Sequence, residues 1–134
     1  MVAASKFQPF VEALAEGAIN FSTDVLGIAL ANSSPPLTNA ALAGVPEVAY
    51  TFCSSRSIGP NTSAQTSGTY ALSVDDLVLT ASGGAVGPFR YVVLYDNTHA
   101  SDMPVLMWDY GSSITLNDTE TLTIDFSANV LTIA

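Results

Sequence analysis

Phe89-Arg90-Tyr91-Val92-Val93-Leu94-Tyr95 is the stretch that most limits what this chain can fold into. Seven residues dominated by aromatic and β-branched side chains fit a pleated strand and crowd a helix. Gly87-Pro88 reads as its start and Asp96-Asn97 as its end. Simple alternation places Phe89, Tyr91, Val93 and Tyr95 on one face and Val92 and Leu94 on the other. A strand apolar on both faces is expected to be central and covered, because in the open it would template aggregation. Pro104-Val105-Leu106-Met107-Trp108-Asp109-Tyr110 follows after a polar loop, and the two runs read as an antiparallel pair at the centre of an all-β domain. Arg90 is the odd residue. Either Asp109 on the neighbouring run pairs with it, or Arg90 sits at the strand end and reaches water along its aliphatic stem.

Around this pair the remaining chain reads as strands and turns. Leu26, Ile28 and Leu30 share one face of a strand over 25–31, and Val48, Tyr50 and Phe52 alternate as a half-buried strand. Tyr70, Leu72 and Val74, then Leu77–Leu79, then Ile114 and Leu116, then Leu122, Ile124 and Phe126, and finally Val130–Ile133 complete the set, with a turn at Ala128-Asn129. Some eight or nine short strands separated by polar turns argue for a two-sheet β-sandwich or a jelly-roll-like barrel. One short N-terminal helix near 8–16 is expected, because Phe7, Phe10, Val11, Leu14, Ala15 and Ala18 recur with helical spacing. Gln8-Pro9 suits its first turn and Gly17 the position past its last. That helix either plugs an open end of the β core or packs on a neighbouring subunit. The long polar loop 53–68 is either a surface loop or an arm ordered by a partner, with Ile58 as its apolar contact.

At 134 residues the chain is expected to form a single domain over 1–134. Twelve acidic residues against three basic ones give a net charge of −9, and Lys6, Arg56 and Arg90 are scattered. No basic patch exists to neutralise phosphates, so nucleic acid is not expected as a partner. No apolar run approaches the roughly 20 residues of a membrane-spanning helix, so neither is a membrane. The opening residues lack the basic-then-apolar order of a secretory leader. The single cysteine, Cys53, excludes an internal disulfide framework and reads as a small buried hydrophobe.

Catalytic signatures are missing. His99 is the one histidine, and no serine lies in Gly-x-Ser-x-Gly. Phosphate loops, dinucleotide fingerprints and paired-cysteine metal spacings are absent. Asp96, Asn97 and Asp102 offer oxygen ligands suited to Ca²⁺, but Asp and Asn are also the ordinary turn formers between strands. Tyr91, Tyr95, Trp108 and Tyr110 suggest either core packing or a sugar-stacking platform. The expectation is a non-enzyme with no cofactor, no metal and no catalytic residues.

The run Ala81-Ser82-Gly83-Gly84-Ala85-Val86-Gly87-Pro88 and the strand after it resemble small virion structural proteins of tailed bacteriophages. So do Trp108-Asp109-Tyr110-Gly111-Ser112-Ser113-Ile114-Thr115-Leu116 and the opening Phe10-Val11-Glu12 with Gly17. The resemblance implies a capsid decoration, or cement, protein made in the bacterial host cytoplasm and bound to the outer surface of the head. Its partners would be the major capsid protein and itself, as a homo-oligomer and most simply a trimer, since cement proteins often sit at three-fold positions of the lattice. A tail component and a carbohydrate-binding β-sandwich module are the alternatives. Phe7, Phe10, Val11, Leu14 and Ile58 are the expected contact residues, and Arg90 with Asp109 the expected structural pair.

Overall fold

The computed structural model describes residues 4–58, 62–126 and 129–134. In chain order the elements are β1 (Ser5–Lys6), α1 (Gln8–Ala15), β2 (Leu26–Ala31), a 3₁₀ turn (Leu42–Gly44), β3 (Thr62–Thr66), β4 (Thr69–Ser73), β5 (Leu77–Thr80), β6 (Val86–Asp96), β7 (Met103–Leu116), β8 (Thr121–Ile124) and β9 (Leu131–Ile133). The fold is all-β and sandwich-like, with one short helix. One sheet has the order β1-β7-β6-β2, a second β3-β4-β9, and a third pairs β5 with β8. Every pairing is antiparallel.

The apolar run at 89–95 does lie centrally, between β2 and β7, and both its faces are covered. Val92 and Leu94 join Leu26, Ile28, Leu30, Leu72, Leu79 and Ile124 in the inner core. Trp108 meets Phe126 there edge to face, ring centroids 5.5 Å apart. On the outer face Val93 and Tyr95 pack with Ala29, Ala31, Met107 and Phe7 under the 32–46 segment, which contributes Val45, Leu37 and Leu42.

Phe89 departs from simple alternation. It belongs to the inner core with Val92 and Leu94, whereas Tyr91 packs on the outer cluster. The pairing slips twice here: Val86 faces Leu116, Phe89 faces Ile114, and Tyr91 faces Asp109. Such irregularities shift the parity of a strand by one residue and so exchange its faces. Gly87-Pro88 therefore does not begin the strand but lies within β6, and Ile114–Leu116 continues β7 without a break at Gly111.

Helix α1 ends as its sequence dictates. Gly17 adopts φ +81°, its N–H donates to the Leu14 carbonyl, and the Ala18 N–H donates to Ala13 at 2.8 Å. That double closure satisfies carbonyls that the last turn leaves open. The helix lays Phe10, Ala13 and Leu14 on the inner core, and the Phe10 ring lies 6.4 Å from Phe21. It thus packs on its own chain.

Two segments fold differently from their sequence reading. Residues 48–52 form no strand and Phe52 is exposed; single bridges to β2 are made on either side of them, by Glu47 to Ala31 and by Ser57 to Gly27. The polar stretch 53–68 is not one loop. Its second half is β3, which pairs with β4 across a two-residue turn at Ser67-Gly68, where both φ angles are positive (+52° and +85°). Residues 59–61 of that stretch and Ala128 of the expected last turn lie outside the described residues.

Candidate functional site

The sheet edges decide which surfaces are available for contact. The free side of β2 is closed by the 47–58 segment. Ile28 N–H donates to the Arg56 carbonyl, Ile58 N–H to Leu26, and Val48 N–H to Leu30. Side chains complete the seal. Leu30 N–H donates to the Tyr50 hydroxyl oxygen at 2.9 Å, and that hydroxyl donates to Glu47 at 2.7 Å. The Arg56 guanidinium lies 3.6 Å from the Tyr50 ring centroid and donates to the Ile28 carbonyl at 2.7 Å. Burial pushes the Tyr50 phenol well above its usual range. Cys53 in the same segment is half-buried, and its thiol too is raised by burial.

β3 is the opposite case. It lies at the end of its sheet, and Thr62, Ala64, Gln65 and Thr66 are exposed. It carries no charge and no proline, the residues that ordinarily blunt an edge. Beside it runs an open groove of about 290 Å³, lined by Leu14, Ile19, Phe21, Ser63, Tyr70 and Ile133 among others. No lining residue is charged. On a chain of net charge −9 this is an uncharged strip joined to an unblunted strand edge.

The contact residues expected from sequence are only partly at the surface. Phe7 (0 % exposed), Phe10 (2 %) and Ile58 (5 %) are buried within their own chain and present no surface in this fold. The same apolarity that suggested an interface is satisfied by the core, because Phe10 and Ile58 pack inside it and Phe7 packs behind the sheet. Leu14 is half-buried and lines the groove. Val11 is exposed on the outer side of the helix and does not line it.

Arg90 and Asp109 meet across β6 and β7 in a two-pronged contact. Arg90 Nε donates to Asp109 Oδ1 at 2.7 Å and Nη2 to Oδ2 at 3.0 Å. The Arg90 guanidinium holds the Asp109 carboxyl below its ordinary range, and Asp109 raises Arg90 in turn. The side chains are 39 % and 44 % exposed, so this is a surface pair and not the buried one whose breakage would be severe.

The remaining candidates do not assemble into a site. His99 Nδ1 lies 3.0 Å from the Ser101 hydroxyl, but that hydroxyl donates to the Ala40 carbonyl. The nearby acid, Asp96, accepts the His99 backbone N–H at 3.1 Å instead of orienting the ring. Of the proposed aromatic platform, Trp108 is in the inner core and Tyr95 in the outer one, with Tyr110 exposed. Among the described residues no group of three or more His, Cys, Asp or Glu is placed to hold a metal ion. No described helix is long and apolar enough to cross a membrane. No family model, curated protein or solved structure matches the chain.

Proposed function

We propose that the chain is a capsid decoration (cement) protein of a tailed bacteriophage. It binds the outer surface of the head, bridges major capsid protein subunits and assembles with itself as a homotrimer. The observation that carries this reading is the uncharged groove with the open β3 edge on an otherwise acidic molecule. It favours a protein that works through contact area, and the resemblance of 81–95 and 108–116 to virion proteins supplies the setting. A subunit touching two or three capsid proteins at once gains avidity without a strong single contact, and each bridge opposes separation of neighbouring capsomers. With three cations in the chain, such contacts are apolar and backbone-mediated, and they survive high salt.

The test mixes purified protein with heads lacking it and measures occupancy and the temperature of DNA release. Saturable binding in high salt and a raised release temperature are expected. Ile133→Asp, at the exposed end of the groove, is expected to weaken binding at least about tenfold. Its fold stability should stay within roughly 0.5 kcal/mol of wild type, as for surface changes generally. Absence of binding to heads overturns the proposal, and recovery with tails instead moves the protein to a tail component.

A further inference from the structure

Among the described residues β3 has one strand neighbour. Its sheet runs β3-β4-β9, so one side of β3 faces β4 and the other is an edge. The hairpin fixes which backbone groups stand on that edge. Thr66 and Thr69 flank the two-residue turn and face each other, so they exchange both backbone hydrogen bonds, as the closing pair of such a turn does. Exchange then alternates along the ladder. Ala64 with Ala71 and Thr62 with Ser73 are bonded pairs, whereas Ser63 and Gln65 turn their N–H and C=O groups away from β4. No backbone group of another described residue meets them there.

The other edges offer less. β2 is sealed by the 47–58 segment, and β1 is two residues long and carries Lys6. β5 is held at Thr80 by Ser54, β8 is bracketed by Glu120 and Asp125, and β9 has three residues. By contrast, β3, β4 and β9 together carry no charged side chain. Copies of a molecule with net charge −9 repel one another, yet this sheet brings no acid of its own to its edge. The order Thr62-Ser63-Ala64-Gln65-Thr66 is also nearly symmetric about Ala64. Thr62, Ala64 and Thr66 share the exposed face, and Ser63 faces the groove. A half-turn about Ala64 sets threonine against threonine, alanine against alanine and Ser63 against Gln65.

We propose that β3 pairs antiparallel with β3 of a second copy of this chain, about a two-fold axis at Ala64. Ser63 of each copy exchanges both backbone hydrogen bonds with Gln65 of the other, so the outward groups of both residues are used. Thr62 stands opposite Thr66 of the second copy on the exposed face, a pairing that stabilises a sheet. The sheet then runs β9-β4-β3 of one copy into β3-β4-β9 of the other. Five residues a side make a small contact, so free copies pair weakly and the contact fills when copies are concentrated or held close on a surface. The pairing is independent of the capsid reading. A two-fold contact cannot close a trimer, so it joins copies of different trimers, and it forms in solution whether or not the protein binds heads.

Cysteine cross-linking tests the register. In a Cys53→Ala background, Ala64→Cys sets two thiols opposite each other in a non-bonded antiparallel pair, with Cα atoms roughly 4.5 Å apart and within disulfide reach. At millimolar protein in oxidised glutathione, Ala64→Cys is expected to form covalent dimer at least about tenfold faster than Val11→Cys, an exposed control away from the edge. Thr62→Cys alone should match the control, whereas a mixture of Thr62→Cys and Thr66→Cys copies should cross-link, because the register pairs those positions. Ala64→Glu sets two like charges on the axis. It should abolish the amide protection that Ser63 and Gln65 gain with concentration in the wild type, and leave the melting temperature unchanged. Ala64→Cys cross-linking no faster than Val11→Cys overturns the pairing, and so does equal cross-linking by Thr62→Cys alone. If the cysteine variants do not fold, amide exchange of the wild type decides. Protection of Ser63 and Gln65 that rises with concentration supports the pairing, and protection that stays constant overturns it.

Discussion

Phe10→Ala is expected to destabilise the fold by about 3–5 kcal/mol, the range for removing a buried aromatic ring. Phe10 is 2 % exposed, shares the inner core with Ile19, Leu26 and Leu94, and tilts against Phe21. The cavity has little means to collapse, because its walls are a helix on one side and paired strands on the other. A domain of this size has only about 5–15 kcal/mol in all, so the variant should melt far lower or fail to accumulate. Val11, one position along the same helix, is 44 % exposed, and Val11→Ala should leave the denaturation midpoint nearly unchanged. Urea titration of the two variants beside wild type checks the contrast. A small effect at Phe10 would mean that the helix is not docked as described.

Gly87→Ala is expected to cost about 2–4 kcal/mol through backbone strain at a special conformation together with a steric clash. Gly87 has φ +117°, a region L-residues avoid, and an added Cβ would stand 2.8 Å from the Ile114 carbonyl oxygen. That oxygen belongs to the facing strand and cannot swing aside like a side chain. Gly84 makes the comparison informative. There an added Cβ would meet the Phe52 ring, which is 40 % exposed and free to turn outward, so Gly84→Ala should be far milder. The measurement is thermal melting joined to amide exchange across β6 and β7. Exchange that quickens only near Val86–Phe89 would show the clash absorbed locally; a loss of protection along the whole ribbon would show the register itself depends on this glycine.

The central pair was legible because residues 89–95 and 104–110 are apolar enough to have no other place to go, and Arg90 with Asp109 followed from a cation on one run and an acid on its neighbour, although it is Tyr91 that stands opposite Asp109. The helix was legible from its 3.6-residue period, though periodicity does not say whether an apolar face turns to a partner or to its own core. β3 was hidden because Thr62–Thr66 has no apolar alternation: an edge strand held by its backbone leaves no hydrophobic trace. The Ser67-Gly68 pair between two threonine-flanked runs was the available signal, a two-residue hairpin turn. Segment 48–52 misled in the opposite way. Its alternation is real, since Val48 and Tyr50 do pack on the core, but side-chain alternation does not guarantee a ladder partner.

The pairing of β2 with β6 has a consequence for how the chain acquires its shape over time. β6 and β7 are joined by a short connection and can meet early, whereas β2 must close a long loop to place Leu26 opposite Asp96. Every residue of β2 is buried, yet its strand partner is synthesised much later. For that interval Leu26–Ala31 is an unpaired apolar segment, open to the wrong neighbour. Folding should therefore begin in the β6–β7 ribbon and finish by capture of β2. Stopped-flow kinetics distinguish the order: Leu106→Ala in the ribbon should mainly slow folding, and Ile28→Val in β2 should mainly speed unfolding. The reverse pattern would make β2 part of the nucleus.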